Sequence, residues 1–202
     1  MALIDLLLAS QNPGKLAEMR QLLTGLPFRI LGPKEVGIDE APEETGTSFE
    51  ENAALKARYY ATRSGLMAVA DDSGISVAAL NGAPGLYSSR FGGEGAADAD
   101  RNRLLIEKLK GVPREERGAR FTSAVALARA GEVVFQVSEA VEGFIAEAPM
   151  GANGFGYDPL FFYPPFGRTF GEVSQVEKDK VSHRGKAFAR LRAYLSTTTS
   201  PS

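Results

Sequence analysis

Leu3 to Ala9 is an apolar run broken only by Asp5, and it passes directly into Ser10-Gln11-Asn12-Pro13-Gly14-Lys15, after which Leu16, Met19, Leu22 and Leu23 recur at helical spacing. A strand, a polar turn and a helix satisfy all three patterns at once. Pro13 fits the first helical turn, where its missing N–H would have no intrahelical partner anyway. The run lacks the basic flank of a signal segment and the length of a membrane span, so it reads as a buried first strand.

The rest of the chain extends this alternation. Phe28 to Leu31 reads as a short strand and residues 35–46 as a loop. From Ser48 to about Arg63 the spacing of Phe49, Ala53, Leu55 and Tyr60 predicts a helix that carries Lys56, with Ser48 and Glu51 as a capping box. Leu66 to Ala70 and Ile75 to Leu80 read as two strands flanking an acidic turn at Asp71-Asp72. Asp98 to Leu109 predicts a helix, and Arg120 to Ala128 with Val133 to Val141 a hairpin joined through Ala130-Gly131-Glu132. An aromatic cluster from Phe155 to Tyr163 follows a glycine-rich loop, and Gly185 to Leu195 carries the last amphipathic helix. Strands alternating with helices, then a hairpin, give an α/β class with a mixed sheet. Residues 1–196 are expected to form one domain, with a frayed polar tail over 197–202.

Composition narrows the function classes. Hydrophobic residues make up 44% and charged residues 24% of the 202, the proportions of a globular protein with a sizeable core. A formal charge of -2 gives no basic surplus of the kind that coats nucleic acid, so any phosphate binding has to be local. With Cys 0 there is no disulfide, thiolate nucleophile or cysteine zinc site, and the cytoplasm is the expected compartment.

Five segments carry candidate chemistry. Ser10 to Lys15 places backbone donors and a lysine at a helix start, which favours an anion, although it lacks the P-loop spacing and equally suits an ordinary strand-to-helix turn. Glu43-Glu44 and Asp71-Asp72 offer hard oxygen ligands of the kind magnesium takes, with Asp72 placed at a strand's carboxyl end; a solvated loop and a turn cap are the structural alternatives. Gly151 to Asp158 combines three glycines with Phe155, Tyr157 and Asp158, which suits base stacking or a loop with core aromatics. Lys178, Lys180, His183 and Arg184 form a basic segment just before the last helix, either a solvated surface or a set of donors to phosphate or purine. His183 is the only histidine, so no histidine pair can bind metal, and Ser73 lacks the surroundings of a nucleophilic serine.

Taken together, Ser10-Gln-Asn-Pro-Gly-Lys15, Glu44-Thr-Gly46, Phe49-Glu-Glu-Asn-Ala-Ala-Leu-Lys56-Ala, Ala70-Asp-Asp-Ser-Gly74, Gly82-Ala-Pro-Gly85, Gly154-Phe-Gly-Tyr-Asp158 and Ser182-His-Arg-Gly185 resemble the inosine/xanthosine triphosphate pyrophosphatase family, in order and over nearly the whole chain. The resemblance implies an elongated central mixed sheet flanked by helices, two lobes with a substrate cleft between them, and a homodimer. It also implies Mg2+-dependent cleavage of dITP, ITP or XTP between the α- and β-phosphates.

Carried over by position, Ser10, Gln11, Asn12, Pro13, Gly14, Lys15 and Lys56 would contact the triphosphate, and Glu44 and Asp72 would organise the metal, with Glu43 as a neighbour. Asp72 would orient or deprotonate the attacking water, and Ser73 would touch substrate. Phe155, Gly156, Tyr157, Asp158, Lys178, His183 and Arg184 match the base-recognising positions. The Ser-Gln start departs from many relatives, but Asn12 and Lys15 are in place. The competing readings are a purine nucleotide sensor that does not hydrolyse, and a single-stranded nucleic-acid binder, which the acidic balance disfavours. Neither a nucleic-acid nor a membrane partner is expected.

Overall fold

The computed structural model describes residues 3–198. Strand β1, Ile4–Leu8, leads into helix α1, Pro13–Leu22, and is followed by β2, Phe28–Leu31, helix α2, Phe49–Ser64, and β3, Met67–Val77. Helix α3, Asp98–Lys108, precedes the long strands β4, Gly118–Arg129, and β5, Glu132–Ile145. The short strands β6, Phe161–Tyr163, and β7, Arg168–Thr169, then lead to helices α4, Gln175–Asp179, and α5, His183–Thr198. The seven strands lie in the order β2-β1-β3-β4-β5-β6-β7. β1 is parallel to β2 and β3, whereas β6 is antiparallel to β5 and β7, so the expected mixed sheet is present.

Two compact units divide the described residues. The first takes the chain up to Asp72, Ser123–Glu139, and the part from Arg184 onward; the second takes Ser73–Thr122 and Ala140–His183. In the first unit, the two-residue period of a strand sends β1 side chains to opposite faces. Leu6 and Leu8 pack with Met19 of α1, with Leu23 just after it, and with Phe188, Leu191 and Leu195 of α5. Leu7 and Ala9 pack instead with Ala53, Ala57, Tyr60 and Ala61 of α2 and with Ala124, Ala126 and Ala128 of β4. Alanine on both sides of that second interface leaves little bulk between α2 and the sheet. The second unit has its own core, in which Ile75, Leu105, Phe121, Ile145, Tyr157, Phe161 and Phe170 are buried together.

Local signals explain several boundaries. Ser48 Oγ caps α2 by accepting from the Glu51 N–H at 3.1 Å. The Glu51 carboxylate does not return to Ser48 but accepts from the Thr47 N–H at 2.7 Å, one residue further out. In the β4–β5 turn, Ala130 and Gly131 have φ of 51° and 80°, the pair of positive angles that a two-residue hairpin turn requires, which leaves Glu132 in β5. Helix α5 begins at His183, so His183 and Arg184 lie on its first turn and not in a segment before it. It continues to Thr198, taking in the start of the expected polar tail; residues 199–202 lie outside the described residues.

The main correction concerns Asp71 and Asp72. They do not form a turn between two strands, and Asp72 is not at a strand's carboxyl end, because β3 runs unbroken from Met67 to Val77. A strand interior can hold Asp71 because its charge is compensated where it sits. Its carboxylate is 2.9 Å from Lys15 Nζ of α1 and 3.2 Å from Arg184 Nη2 of α5, and it accepts from Ser123 Oγ of β4. Arg184 Nη1 in turn reaches Glu18 Oε2 of α1 at 2.6 Å. Burial alone would raise the Asp71 carboxyl, but Arg184, Lys15 and the Ser123 hydroxyl outweigh it and hold the group well below the usual carboxylate range.

A lowered folded-state pKa means that Asp71 contributes stability above its unfolded value, near about 3.9, and loses it as pH falls through the folded value. Asp71→Asn is therefore expected to cost about 3–5 kcal/mol at pH 7 by stranding buried cations. The gap between variant and parent, measured by urea unfolding, should shrink as pH drops below about 4. A gap of constant size down to strongly acidic pH would separate the strand's stability from the ionisation of Asp71.

Candidate functional site

In the first unit, strand alternation turns Asp71 and Asp72 to opposite faces: Asp71 shares the side of Val69, towards α1 and α5, and Asp72 the side of Ala68 and Ala70, towards α2. Lys56 of α2 meets Asp72 there. Its Nζ is 2.7 Å from Asp72 Oδ1, 3.0 Å from Glu44 Oε1 and 3.1 Å from the Asp71 carbonyl oxygen. Lys15 Nζ approaches the same carbonyl at 3.5 Å from the other face, so the two lysines flank one peptide of β3.

The loop that brings Glu44 to this point depends on Gly46. Its N–H donates to Asn52 Oδ1 of α2 at 2.8 Å, and a Cβ there would lie 2.6 Å from the same oxygen. Glycine is what lets the chain pass so close to the helix. Glu43, next to Glu44, is exposed and joins none of these ion pairs.

Asn12 caps α1, its side-chain oxygen accepting from the Lys15 N–H at 3.1 Å, with Pro13 in the first turn. The Asn12 N–H is fixed by Ser10 Oγ at 3.2 Å, and the Gln11 side chain donates to the Asp39 carbonyl at 2.7 Å. Gln11, Asn12 and Pro13 are exposed, while Gly14 and Lys15 are half-buried, so this turn presents a helix start at the surface with the largely buried Lys15 ammonium behind it.

The electrostatics separate the two neighbouring carboxylates. Asp71 is held ionised, as described above, whereas burial lifts the Asp72 carboxyl above its ordinary value even against Lys56 and Lys15. Burial works against the Lys56 ammonium, but Asp72 and Glu44 beside it more than compensate, and its pKa is raised. Lys15 goes the other way: burial, reinforced by Lys56 and Arg184, lowers it despite Asp71.

The second unit contains the other candidate cluster. Asp158 Oδ2 accepts from the Phe155 N–H at 2.9 Å and from Lys178 Nζ at 2.6 Å, and that ammonium lies 5.4 Å from the centroid of the Phe155 ring. Gly154, at φ 73°, makes this turn possible, since a Cβ would fall 2.1 Å from Asp158 Oδ2. The Gly156 N–H donates to Asp98 Oδ2 at 2.6 Å and its carbonyl accepts from Asn102 Nδ2 at 3.0 Å, so α3 holds the two successive peptides that flank Gly156. Asp158, Lys178 and His183 are buried, and the His183 ring stacks on Phe121 with centroids 4.6 Å apart.

Tyr157 belongs to the core: its ring is buried and its hydroxyl donates to the Ser88 carbonyl at 2.8 Å, with burial raising its pKa. The basic segment is thus not a solvated surface but divides three ways. Lys178 and His183 stay in the second unit, Arg184 joins Glu18 and Asp71 in the first, and Lys180 is exposed. Ser73 follows Asp72 in β3 and by alternation takes the face of Asp71.

Sequence reasoning missed Glu18, Ser123, Ser88, Asp98 and Asn102. Glu18 lies one helical turn beyond Lys15, and Asn102 one turn beyond Asp98, so each pair shares a helix face. That spacing was readable, but nothing in it names the partner on another element.

Comparison with known proteins places the chain in a family. The family model described as the Ham1 family matches residues 6–194. A dITP/XTP pyrophosphatase of an Exiguobacterium species is 47% identical over 194 residues, covering 95% of this chain and 97% of the relative. The structure of a HAM1 protein from Coxiella burnetii superposes with a TM-score of 0.86 at 42% identity, covering 96% of this chain and 100% of that one. The Staphylococcus aureus Ham1 protein gives 0.84 at 35% identity, with the same coverage. With sequence and fold matched over this span, the chain belongs to the Ham1 family.

Proposed function

We propose that this protein hydrolyses the non-standard purine nucleoside triphosphates dITP, ITP and XTP to the nucleoside monophosphate and pyrophosphate, with Mg2+ as cofactor. The observation that carries this is the convergence of Lys15 and Lys56 on one peptide carbonyl of β3, with Glu44 and Asp72 both on the Lys56 ammonium, beside the capped start of α1. Relatives named dITP/XTP pyrophosphatase, more than 40% identical, support the substrate class.

Phosphoryl transfer depends on positioning and charge neutralisation more than on covalent help. The Ser10–Lys15 turn and Lys56 serve the triphosphate. Glu44 and Asp72 fit a magnesium ion: each puts one oxygen within 3.0 Å of the same cation, the Lys56 ammonium. Among the described residues no group of three or more His, Cys, Asp or Glu could hold a metal, which suits an ion that keeps waters and substrate phosphates as its remaining ligands. When bound, that ion neutralises charge building on the phosphate oxygens. Asp72, lifted towards neutrality by burial, takes the proton of the water that attacks the α-phosphorus. The bond from that phosphorus to the bridging oxygen breaks, and pyrophosphate leaves with the electron pair.

In the second unit, Phe155 offers a face to the base, and Lys178, oriented by Asp158, offers a donor. A 6-oxo purine accepts there, whereas the 6-amino group of adenine brings a second donor to the same place. His183, Arg184, Ser73 and the peptides around Gly156 complete the proposed contacts. Tyr157 supports that loop from the core. We take the working form to be a cytoplasmic homodimer, on the family resemblance and the cysteine-free composition. No nucleic-acid partner is proposed, since the net charge is -2.

The decisive experiment is a panel of nucleoside triphosphates with and without Mg2+. Monophosphate and pyrophosphate from dITP, ITP and XTP are expected, with turnover lost without the metal and reduced about 10²–10⁴-fold in Asp72→Asn. Nucleoside diphosphate with orthophosphate, tight binding without product, or a fully active Asp72→Asn would overturn the assignment. For the base, Lys178→Met should lower the ratio of kcat/KM for ITP over ATP by about 10- to 100-fold, the weight of one charged hydrogen bond. That ratio does not change if part of the protein misfolds, so an unaltered value removes Lys178 from base selection. Light scattering should give the mass of two chains, and a one-chain mass would refute the dimer.

A further inference from the structure

Lys56 is assigned to the triphosphate, yet its ammonium has no proton to give. Such a group carries three N–H donors. Asp72 Oδ1 at 2.7 Å, Glu44 Oε1 at 3.0 Å and the Asp71 carbonyl at 3.1 Å accept all three. Lys15 differs: its ammonium meets only Asp71 among the described residues, and its side chain keeps 17% of its surface exposed. The two lysines of the proposed phosphate site are therefore not equivalent. Lys15 can receive a phosphate oxygen as it stands, whereas Lys56 has first to release an acceptor.

The surroundings indicate which acceptor yields. The Asp71 carbonyl and Asp72 belong to the interior of β3, where backbone pairing fixes them. Glu44 lies in the irregular segment ahead of α2, makes the longer of the two carboxylate contacts, and has the more exposed side chain, 23% against 9% for Asp72. The two carboxylates that fit a metal ion are also the two that Lys56 occupies. A divalent cation entering beside an ammonium in a largely buried place meets like-charge repulsion that little solvent screens.

We infer that Lys56 is the resident cation of the Glu44–Asp72 pair in the substrate-free protein and gives up that place, Glu44 first, when a triphosphate supplies new acceptors for its protons. Divalent metal and triphosphate then bind cooperatively, coupled through this one side chain, and neither carboxylate is left without a positive partner at any stage. The inference rests on reading the cluster as a metal-and-triphosphate site, but it concerns the order of binding and not the reaction.

Mn2+ is the probe, its unbound fraction followed by electron paramagnetic resonance without nucleotide. Lys56→Met, which keeps the length and removes the charge, should bind Mn2+ about 10- to 100-fold more tightly than the parent, the usual span of a coupling between sites. Lys56→Gln should move the same way. Unchanged or weaker Mn2+ binding in folded variants, checked by circular dichroism, would overturn the exchange.

A second measurement needs no variant. In the parent protein, the 15N signal of the Lys56 ammonium should stay in its hydrogen-bonded position with Mg2+ alone and shift when α,β-methylene ITP is added with Mg2+. A signal that fails to move with both present would equally refute the proposal. Failure of the hydrolysis panel leaves both readouts interpretable, and success of the panel without metal coupling sinks only this inference.

Discussion

Asp71 is a carboxylate with no solvent to share its charge, set in the middle of a strand, and the first unit is arranged to make that tolerable. A lone buried anion costs several kcal/mol, and a pair recovers this only when geometry and further hydrogen bonds are good. Lys15 comes from α1, Arg184 from the first turn of α5 and Ser123 from β4, so a single side chain ties two helices and a neighbouring strand to β3. Glu18 extends the alternation of charge by one more member. Because Lys15 also stands at the start of α1, beside the Asn12 cap, the group that stabilises the strand lies at the end of the helix proposed to receive phosphate.

Asp72 inherits its position from that arrangement. With Asp71 anchored towards α1 and α5, the period of a strand leaves its successor no choice but the opposite face. There the neighbours are alanines, and α2 lies close enough for Lys56 to meet Asp72, Glu44 and the intervening carbonyl. The two adjacent carboxylates end with opposite shifts: Asp71 held ionised by two cations, Asp72 raised by burial. Pairs of acids driven apart in this way divide labour between a fixed charge and a proton acceptor. Only the second is suited to take a proton from water.

What the sequence made legible follows from the range of the interaction involved. Hydrophobic period marked β1, α1, α2 and the β4–β5 hairpin, since each signal is local and repeated along one element. The acidic pair was misread as a turn because carboxylates inside a strand look forbidden until their partners are known, and Lys15 and Arg184 lie 56 and 113 positions away. The same limit applied to the basic segment, which resembles a solvated run until Lys178 is found against Asp158 and Arg184 against Asp71. Motif order placed these residues in one family without stating their contacts. Tyr157 shows the converse, an aromatic, in a motif expected to read a base, whose hydroxyl is committed to the Ser88 carbonyl.

Base selection as proposed depends on a rigid loop. Lys178 selects for an acceptor only if it cannot rotate to suit a donor, and a buried lysine alone is too flexible for that. Asp158 removes the freedom, holding the ammonium at 2.6 Å while the same oxygen fixes the Phe155 N–H at 2.9 Å. Position and ring are thus set together by one carboxylate. Asp98 and Asn102 of α3 add the remaining constraint, one on each of the two peptides that flank Gly156, which keeps both from turning over. Selectivity in this reading needs both Lys178 and the groups that hold it in place, because rejection requires that the wrong base meet a donor with nowhere else to point.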